Sequence, residues 1–292
     1  MTTTQCTAPH VTTEQRKAQA EALHASISDQ VDALRHSDQW RAFLDFARSF
    51  HPYSLNNLLL IHAQYPTATA VAGFRQWQTK GRQVRKGEKA IRIFGYSTKT
   101  ITEQDDTGTE TERRIPRYPI LSVFDLTQTD PIPGTDDHTS PAQRLTGDDD
   151  HGITDTLTTY LSSHGWTVSR EPIPGDANGY VDPATRRVVI DSTLSPAHAA
   201  KTTIHETAHI LLGHIDENPR TYLEHRGLKE VEAESVAYIV AGLTGFDTST
   251  YSIGYITSWT DDTTTIKTAA EHVLRTAHHV AEIHSPTQHH PA

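Results

Sequence analysis

Ser195-Pro196-Ala197-His198-Ala199-Ala200-Lys201-Thr202-Thr203-Ile204-His205-Glu206-Thr207-Ala208-His209 opens with a serine and a proline and closes on the pattern H-E-x-x-H. Ser195 suits the N-cap of a helix and Pro196 its first position, where a missing N–H costs nothing. The spacing predicts one helix running on to Gly213. Residues four apart on a helix lie about 40° from each other around the axis, so His205 and His209 share a face. Two neutral imidazoles one turn apart can hold one Zn²⁺, and the adjacent Glu206 has the place of a general base. Ile204, Leu211 and Leu212 give this helix an apolar side that would anchor it in a core.

A hydrolytic zinc site needs a third ligand, and Glu230-Val231-Glu232-Ala233-Glu234 supplies three candidates. Glu230 and Glu234 share a helix face, whereas Glu232 points roughly 160–200° away. Glu230 is therefore taken as the ligand and Glu234 as the carboxylate that fixes the outer nitrogen of a ligand histidine. Glu232 stays open as an alternative ligand. In the resulting chemistry the metal brings the pKa of water towards ~7. Glu206 takes the proton and hands it to the leaving amine. Tyr251 and Tyr255 are candidate oxyanion donors, with plain packing as their competing role. A third-histidine site would read H-E-x-x-H-x-x-G-x-x-H. Here Gly213 and His214 miss both offsets, so His214 is read as a helix-end or solvent-facing residue. His198 and His225 are read as surface residues.

Working outward, Leu23, Ile27, Val31 and Leu34 predict a helix over Thr13 to Arg35. A second helix begins near Ser37, and a third, capped by Ser54, covers Leu55 to Gln64. Glycines and alternating apolar residues from Gly73 to Ala90 suggest turns between short strands. Ile91 to Tyr96 and Ile120 to Phe124 suit strands. The stretch from Asp130 to Asp150 is rich in Pro, Gly, Thr and Asp and reads as an exposed linker. Beyond it come a helix ending at Gly165, a strand near Trp166, a hairpin through Gly179 and Ile190, the H-E-x-x-H helix, a helix over Glu230 to Leu243, and a last one over Thr264 to Ile283. The expected organisation is residues 1–129 as one domain, 130–150 as linker, 151–284 as a second domain and 285–292 as a disordered tail. The expected fold class is α+β.

The chain has 292 residues, 35% of them hydrophobic, and a formal net charge of −10. Its one cysteine, Cys6, excludes an intrachain disulfide and a cysteine-rich zinc knuckle, which leaves histidine and carboxylate as metal ligands. The polar stretch Met1 to Val11 lacks the pattern of a signal peptide, and no run approaches a membrane span, so a cytoplasmic location is expected. Net acidity argues against nucleic acid as a partner until the distribution is considered. Arg75, Lys80, Arg82, Arg85, Lys86, Lys89, Arg92 and Lys99 stand between Val71 and Lys99 against Glu88 alone. Trp77, Phe74, Phe94 and Tyr96 interleave with them. Cations that track phosphates and aromatics that stack on bases are what a single strand requires. The competing role is a small core with a solvated face. The expected contacts are Arg75, Trp77, Lys80, Arg82, Arg85, Lys86, Lys89 and Arg92.

Several motifs in order carry a resemblance. Ser54-Leu55-Asn56-Asn57-Leu58-Leu59-Leu60, Gln64-Tyr65-Pro66, Trp77, Gly81 through Ala90 and Val123-Phe124-Asp125-Leu126-Thr127-Gln128-Thr129 resemble the N-terminal single-stranded-DNA-binding domain of ArdC-type antirestriction proteins. Thr202 through Glu206, Glu230 with Ala233, Glu234, Val236 and Ala237, and Tyr251-Ser252 with Tyr255 and Trp259 are similar to that family's zincin-like metallopeptidase domain. The resemblance runs from about Trp40 to Trp259. It implies a plasmid- or phage-borne protein that protects incoming DNA, with single-stranded DNA as partner, Zn²⁺ as cofactor and a protein as possible substrate. Two alternatives differ in the use of the metal. In one, the protein shields DNA and zinc is a structural clip. In the other, a protease cuts a repressor-like regulator.

Overall fold

A computed structural model of the chain describes residues 12–50, 53–104, 110–135, 150, 152–175, 177–215, 219–244 and 262–284. Tyr251, Tyr255, Trp259, the tail 285–292 and most of the expected linker lie outside the described residues. The architecture is α+β, with eight α-helices and four small sheets among the described residues.

Helices α1 (Thr13–Ala33), α2 (Ser37–Ala47) and α3 (Leu55–Gln64) come first. Thr12 and Gln15 form a reciprocal cap on α1, and Leu23, Ile27 and Val31 bury its inner stripe. Leu58, Leu59, Leu60 and Ile61 of α3 are all buried, because this helix is covered on several sides rather than one.

Strand β1 (Val71–Gly73) runs straight into helix α4 (Phe74–Thr79), where turns between strands were expected. Gln76 accepts a hydrogen bond from the Gly73 N–H at 3.0 Å, and the Phe74–Trp77 spacing follows a helix turn, not a pleat. β2 (Arg82–Val84), β3 (Ile91–Phe94), β4 (Ser97–Gln104), β5 (Glu110–Arg117), β6 (Ile120–Asp125) and β7 (Thr129–Pro131) follow. They form an antiparallel sheet β1-β6-β3 and two ribbons, β2-β7 and β4-β5. Strand β7 takes in Asp130 and Pro131, the first two positions of the expected linker. The motif Val123 through Thr129 is a corner built on Asp125. This fully buried carboxylate accepts from the N–H groups of Thr69 (2.8 Å), Ala70 (3.1 Å) and Thr127 (2.8 Å).

In the second half, α5 (Ile153–Ser163) precedes β8 (Thr167–Glu171), β9 (Gly179–Asp182) and β10 (Arg187–Asp191). The sheet order is β8-β10-β9, with β8 parallel and β9 antiparallel to β10, so β9 is an edge. Helices α6 (Pro196–Leu211), α7 (Pro219–Leu243) and α8 (Thr263–His284) follow, α7 starting about three turns earlier than expected.

The two halves share one core. A single cluster runs from Leu23 and Trp40 through Leu58 to Ile153, Ile204, Val236 and Val273. Trp40 on α2, 1% exposed, donates from Nε1 to Ser235 Oγ on α7 at 3.0 Å, and the Tyr238 hydroxyl donates to Asp45. Arg48 lies over the Tyr238 ring and against Gly242, where a Cβ would stand 2.6 Å from its Cδ. Trp40→Ala is expected to cost about 3–5 kcal/mol. Because the core is continuous, both halves should lose stability together, as one denaturant transition read by far-UV circular dichroism. Among the described residues no helix is long and apolar enough to cross a membrane.

Candidate metal centre

Helix α6 starts as its sequence requires: the Ser195 side chain accepts from the His198 N–H, and Pro196 fills the first turn. Its buried threonines leave no hydroxyl stranded. Thr202, Thr203 and Thr207 donate to the carbonyls of His198, Ala199 and Thr203, four residues back. Ile204 and Ala208 are fully buried in the core, which turns His205 and His209 towards α7 and a cavity of about 620 Å³. Asn178, Gly179, Tyr180 and Val181, at and before the edge strand β9, form the opposite wall.

Three ligand-type atoms converge there. His205 Nε2 and His209 Nε2 are 3.1 Å apart, and Glu230 Oε2 lies 3.5 Å from the first and 3.7 Å from the second. The point equidistant from these atoms is about 2.0 Å from each, the length of a zinc–imidazole or zinc–carboxylate bond. Two nitrogens and one oxygen on one side, facing a cavity, fit a divalent cation with an open coordination position.

Each histidine is also held from behind. Glu234 Oε2 lies 3.3 Å from His205 Nδ1, at ion-pair distance without hydrogen-bond geometry, and its other oxygen accepts from Lys201 Nζ at 2.7 Å. The structure thus brings Glu234 to the place expected of it. His209 has a different support. His209 Nδ1 is 3.0 Å from His214 Nδ1, and His214 Nε2 is 3.1 Å from Glu232 Oε2. The carboxylate of Glu232 accepts, so the proton of His214 sits on Nε2. His214 Nδ1 then accepts from His209 Nδ1–H, which leaves a lone pair on His209 Nε2 facing the centre. His272 on α8 closes the row, Nδ1 at 3.8 Å from Glu232 Oε1.

His214 is 5% exposed, not a solvent-facing residue, and Glu232 is its partner, not a metal ligand. The missed signal was Gly213. With φ of 74°, it closes α6 in a Schellman turn: its own N–H bonds to Ile210 O, and the His214 N–H returns to His209 O at 3.0 Å. That turn folds the side chain after the glycine back onto the residue five before it, so G-H at this offset places one imidazole behind another. His214→Phe is expected to weaken metal affinity roughly 10–100-fold, measured by competition with a chromophoric chelator. An unchanged affinity would remove His214 from the site.

Charge at the centre is set by burial and by these partners. Burial disfavours the charged form of His205, but the neighbouring carboxylates of Glu230 and Glu234 outweigh it and bring the pKa up to about 9. Burial holds His209 below its ordinary value. The close imidazoles of His205 and then His209 hold Glu230 well below the usual carboxylate range. Glu206, 8% exposed on the cavity wall, is pushed up by burial, against the pull of His205, to about 7. In the metal-free protein, the stabilisation from His205 is complete below its ordinary 6.5 and is lost as pH rises through about 9. That from Glu206 is present below 4.5 and lost as pH rises through about 7. That from Glu230 is present above 4.5 and disappears on acidification through its lowered value. The denaturation midpoint of metal-free protein should therefore fall from pH 6.5 to 9 more steeply than that of His205→Ala; parallel curves would contradict the geometry.

The cations expected to meet DNA divide. Arg82 donates from Nε to Thr129 Oγ1 at 2.7 Å, and Arg85 pairs with Glu88 at 2.8 Å and Asp130 at 3.3 Å. Both brace β7. Arg92 bonds Ser122, and Lys80 sits over the Trp77 ring. Trp77 itself is 1% exposed and donates from Nε1 to Phe124 O at 2.8 Å. A ring buried against Ala72 and Val84 cannot stack on a base, so its expected contact with DNA is corrected. Arg75, Lys86 and Lys89 are at least partly exposed on the surrounding surface.

Residues 17–124 match the family model described as the N-terminal domain of anti-restriction factor ArdC. An uncharacterized protein of Bacillus anthracis is 25% identical over 302 aligned positions, covering 90% of this chain and 50% of that protein. The chain thus spans about half the length of the curated relative it matches. Two crystal structures of the antirestriction protein ArdC from plasmid R388 are also similar. The metal-free one is 22% identical with a TM-score of 0.48, covering 81% of this chain and 85% of its own. The Mn(II)-bound one is 19% identical with a TM-score of 0.43, covering 80% and 89%.

Proposed function

We propose that this chain, ArdC-type by its N-terminal domain, is a DNA-associated antirestriction metalloprotein that binds single-stranded DNA and hydrolyses peptide bonds in a zincin-like second half. The observation that carries the hydrolytic reading is the triangle of His205 Nε2, His209 Nε2 and Glu230 Oε2 opening onto a cavity with Glu206 on its wall. Zn²⁺ held there would supply Lewis acidity, polarising a carbonyl and acidifying water. The remaining roles belong to this chain. Glu206, with a pKa near neutrality, can take a proton on a carboxylate oxygen and return it to a leaving amine. Glu234 and the His214–Glu232 pair orient the two rings. The edge of β9, unpaired among the described residues, offers main-chain groups to an extended segment lying along the cavity, which favours unfolded polypeptide over folded protein as substrate.

The test is direct. Purified protein loaded with zinc, and in parallel with manganese, is incubated with a fluorogenic unfolded polypeptide, with and without a single-stranded oligonucleotide. Chelator-sensitive cleavage supports the reading. Fully metallated protein that leaves the polypeptide intact under both conditions would reduce the metal to a structural clip.

A further inference from the structure

We infer that single-stranded DNA stacks on an exposed tyrosine pair, Tyr96 and Tyr118, at the root of the β4-β5 ribbon and runs along the face that carries them, between Arg92 and Arg114. The inference rests on the proposed binding of single-stranded DNA and gives it a location. The rings of Tyr96 and Tyr118 lie 5.9 Å apart between centroids, tilted by 60°, and are 69% and 64% exposed. Large rings left in water on a protein that buries Trp40, Trp77 and Phe43 call for an occupant.

The register of the ribbon supplies the charge. Phe94 pairs with Ile120, the Gly95 N–H donates to Pro119 O and Thr98 pairs with Pro116, so Tyr96 and Tyr118 stand opposite each other. Directly opposed residues and alternate residues share a face, so Arg114, opposite Thr100, and Arg92, opposite Ser122, stand on the side of the two tyrosines. Each lies about 13 Å along its strand from the nearer tyrosine. Arg114 is exposed and among the described residues makes no ion pair, and Arg92 is half-buried and bonds Ser122. The acids Glu103, Glu110 and Glu112 occupy positions at the far end of the ribbon, away from the tyrosines. Arginines flanking open aromatic faces on one side of a ribbon suit a polyanion whose bases are unstacked. A duplex hides those base faces and offers the rings nothing.

Binding of a labelled oligothymidylate by fluorescence anisotropy, over a salt series, tests this. The double variant Tyr96→Ala/Tyr118→Ala should bind roughly ten- to a hundred-fold more weakly, and Tyr96→Phe/Tyr118→Phe should bind like the parent. Arg114→Glu should reduce the slope of log affinity against log salt by about one or more. Both tyrosines are largely exposed, so the alanine variants should keep the parent circular dichroism and melting temperature. If the parent binds the oligonucleotide and the double alanine variant binds equally well, the platform is wrong while DNA binding stands. If duplex of the same sequence competes as well as single strand, the platform is also wrong. If the parent binds no single strand at all, the DNA reading itself fails.

Discussion

Glu206→Gln should lower kcat/KM for peptide hydrolysis roughly 10²–10⁴-fold and leave the metal content at the parent level. The substitution keeps the shape of a side chain that is 8% exposed and removes only its capacity to take a proton. Its surroundings favour tolerance, since burial already drives the native carboxyl towards the neutral form at about pH 7. Metal analysis beside the kinetics separates loss of a proton carrier from loss of the site. In cells the same variant distinguishes the roles of the metal. Protection of incoming DNA that survives intact assigns the cation a structural part. A single protein that accumulates uncut in the variant identifies a regulator as the substrate. Undiminished hydrolysis by Glu206→Gln would show that some other group carries the proton.

His205→Ala should abolish stabilisation by added metal. A ligand that binds only the folded state at a thousand-fold excess over its Kd adds about 4 kcal/mol to stability. The parent's melting temperature should rise with zinc, and the variant's should not. His205 contributes one corner of the triangle and also contacts Glu230 and Glu234, so its removal opens the triangle and takes one imidazole from each of these carboxylates. Lys201 still pairs with Glu234, which keeps that carboxylate from being stranded. An equal zinc-dependent rise in parent and variant would place the metal elsewhere in the chain.

Much of this arrangement is legible in the chain because helical spacing is local. The four-residue intervals His205–His209 and Glu230–Glu234 depend only on 3.6 residues per turn, and the helices deliver those residues as the spacing predicts. What local pattern does not carry is contact made after a turn or across the fold. His214 reaches His209 through a left-handed glycine, and Glu232 reaches His214 from another helix. Trp77 shows the same limit in reverse. Its company of lysines and arginines suggests a ring exposed to a ligand, yet Phe124, far along the chain, covers it. The β4-β5 ribbon gave no strand signal because its alternation is of threonines and charges, with only Ile101 and Ile115 as apolar positions. The shared core was equally hidden, since a loop rich in Pro and Asp looks like a domain boundary whatever packs on either side of it.

Helix α7 presents Glu230, Glu232 and Glu234 to the histidines and, one turn on, Ser235 and Tyr238 to Trp40 and Asp45. The two ends of the molecule are therefore read by one rigid rod, and their binding energies need not be independent. By thermodynamic reciprocity, whatever strand engagement does to metal affinity, metal must do to strand affinity by the same factor. Descent is constrained in the same way. Recombination that swapped either half for a relative's would have to bring the matching tryptophan–serine and aspartate–tyrosine partners along, so these cross-half pairs should be inherited together.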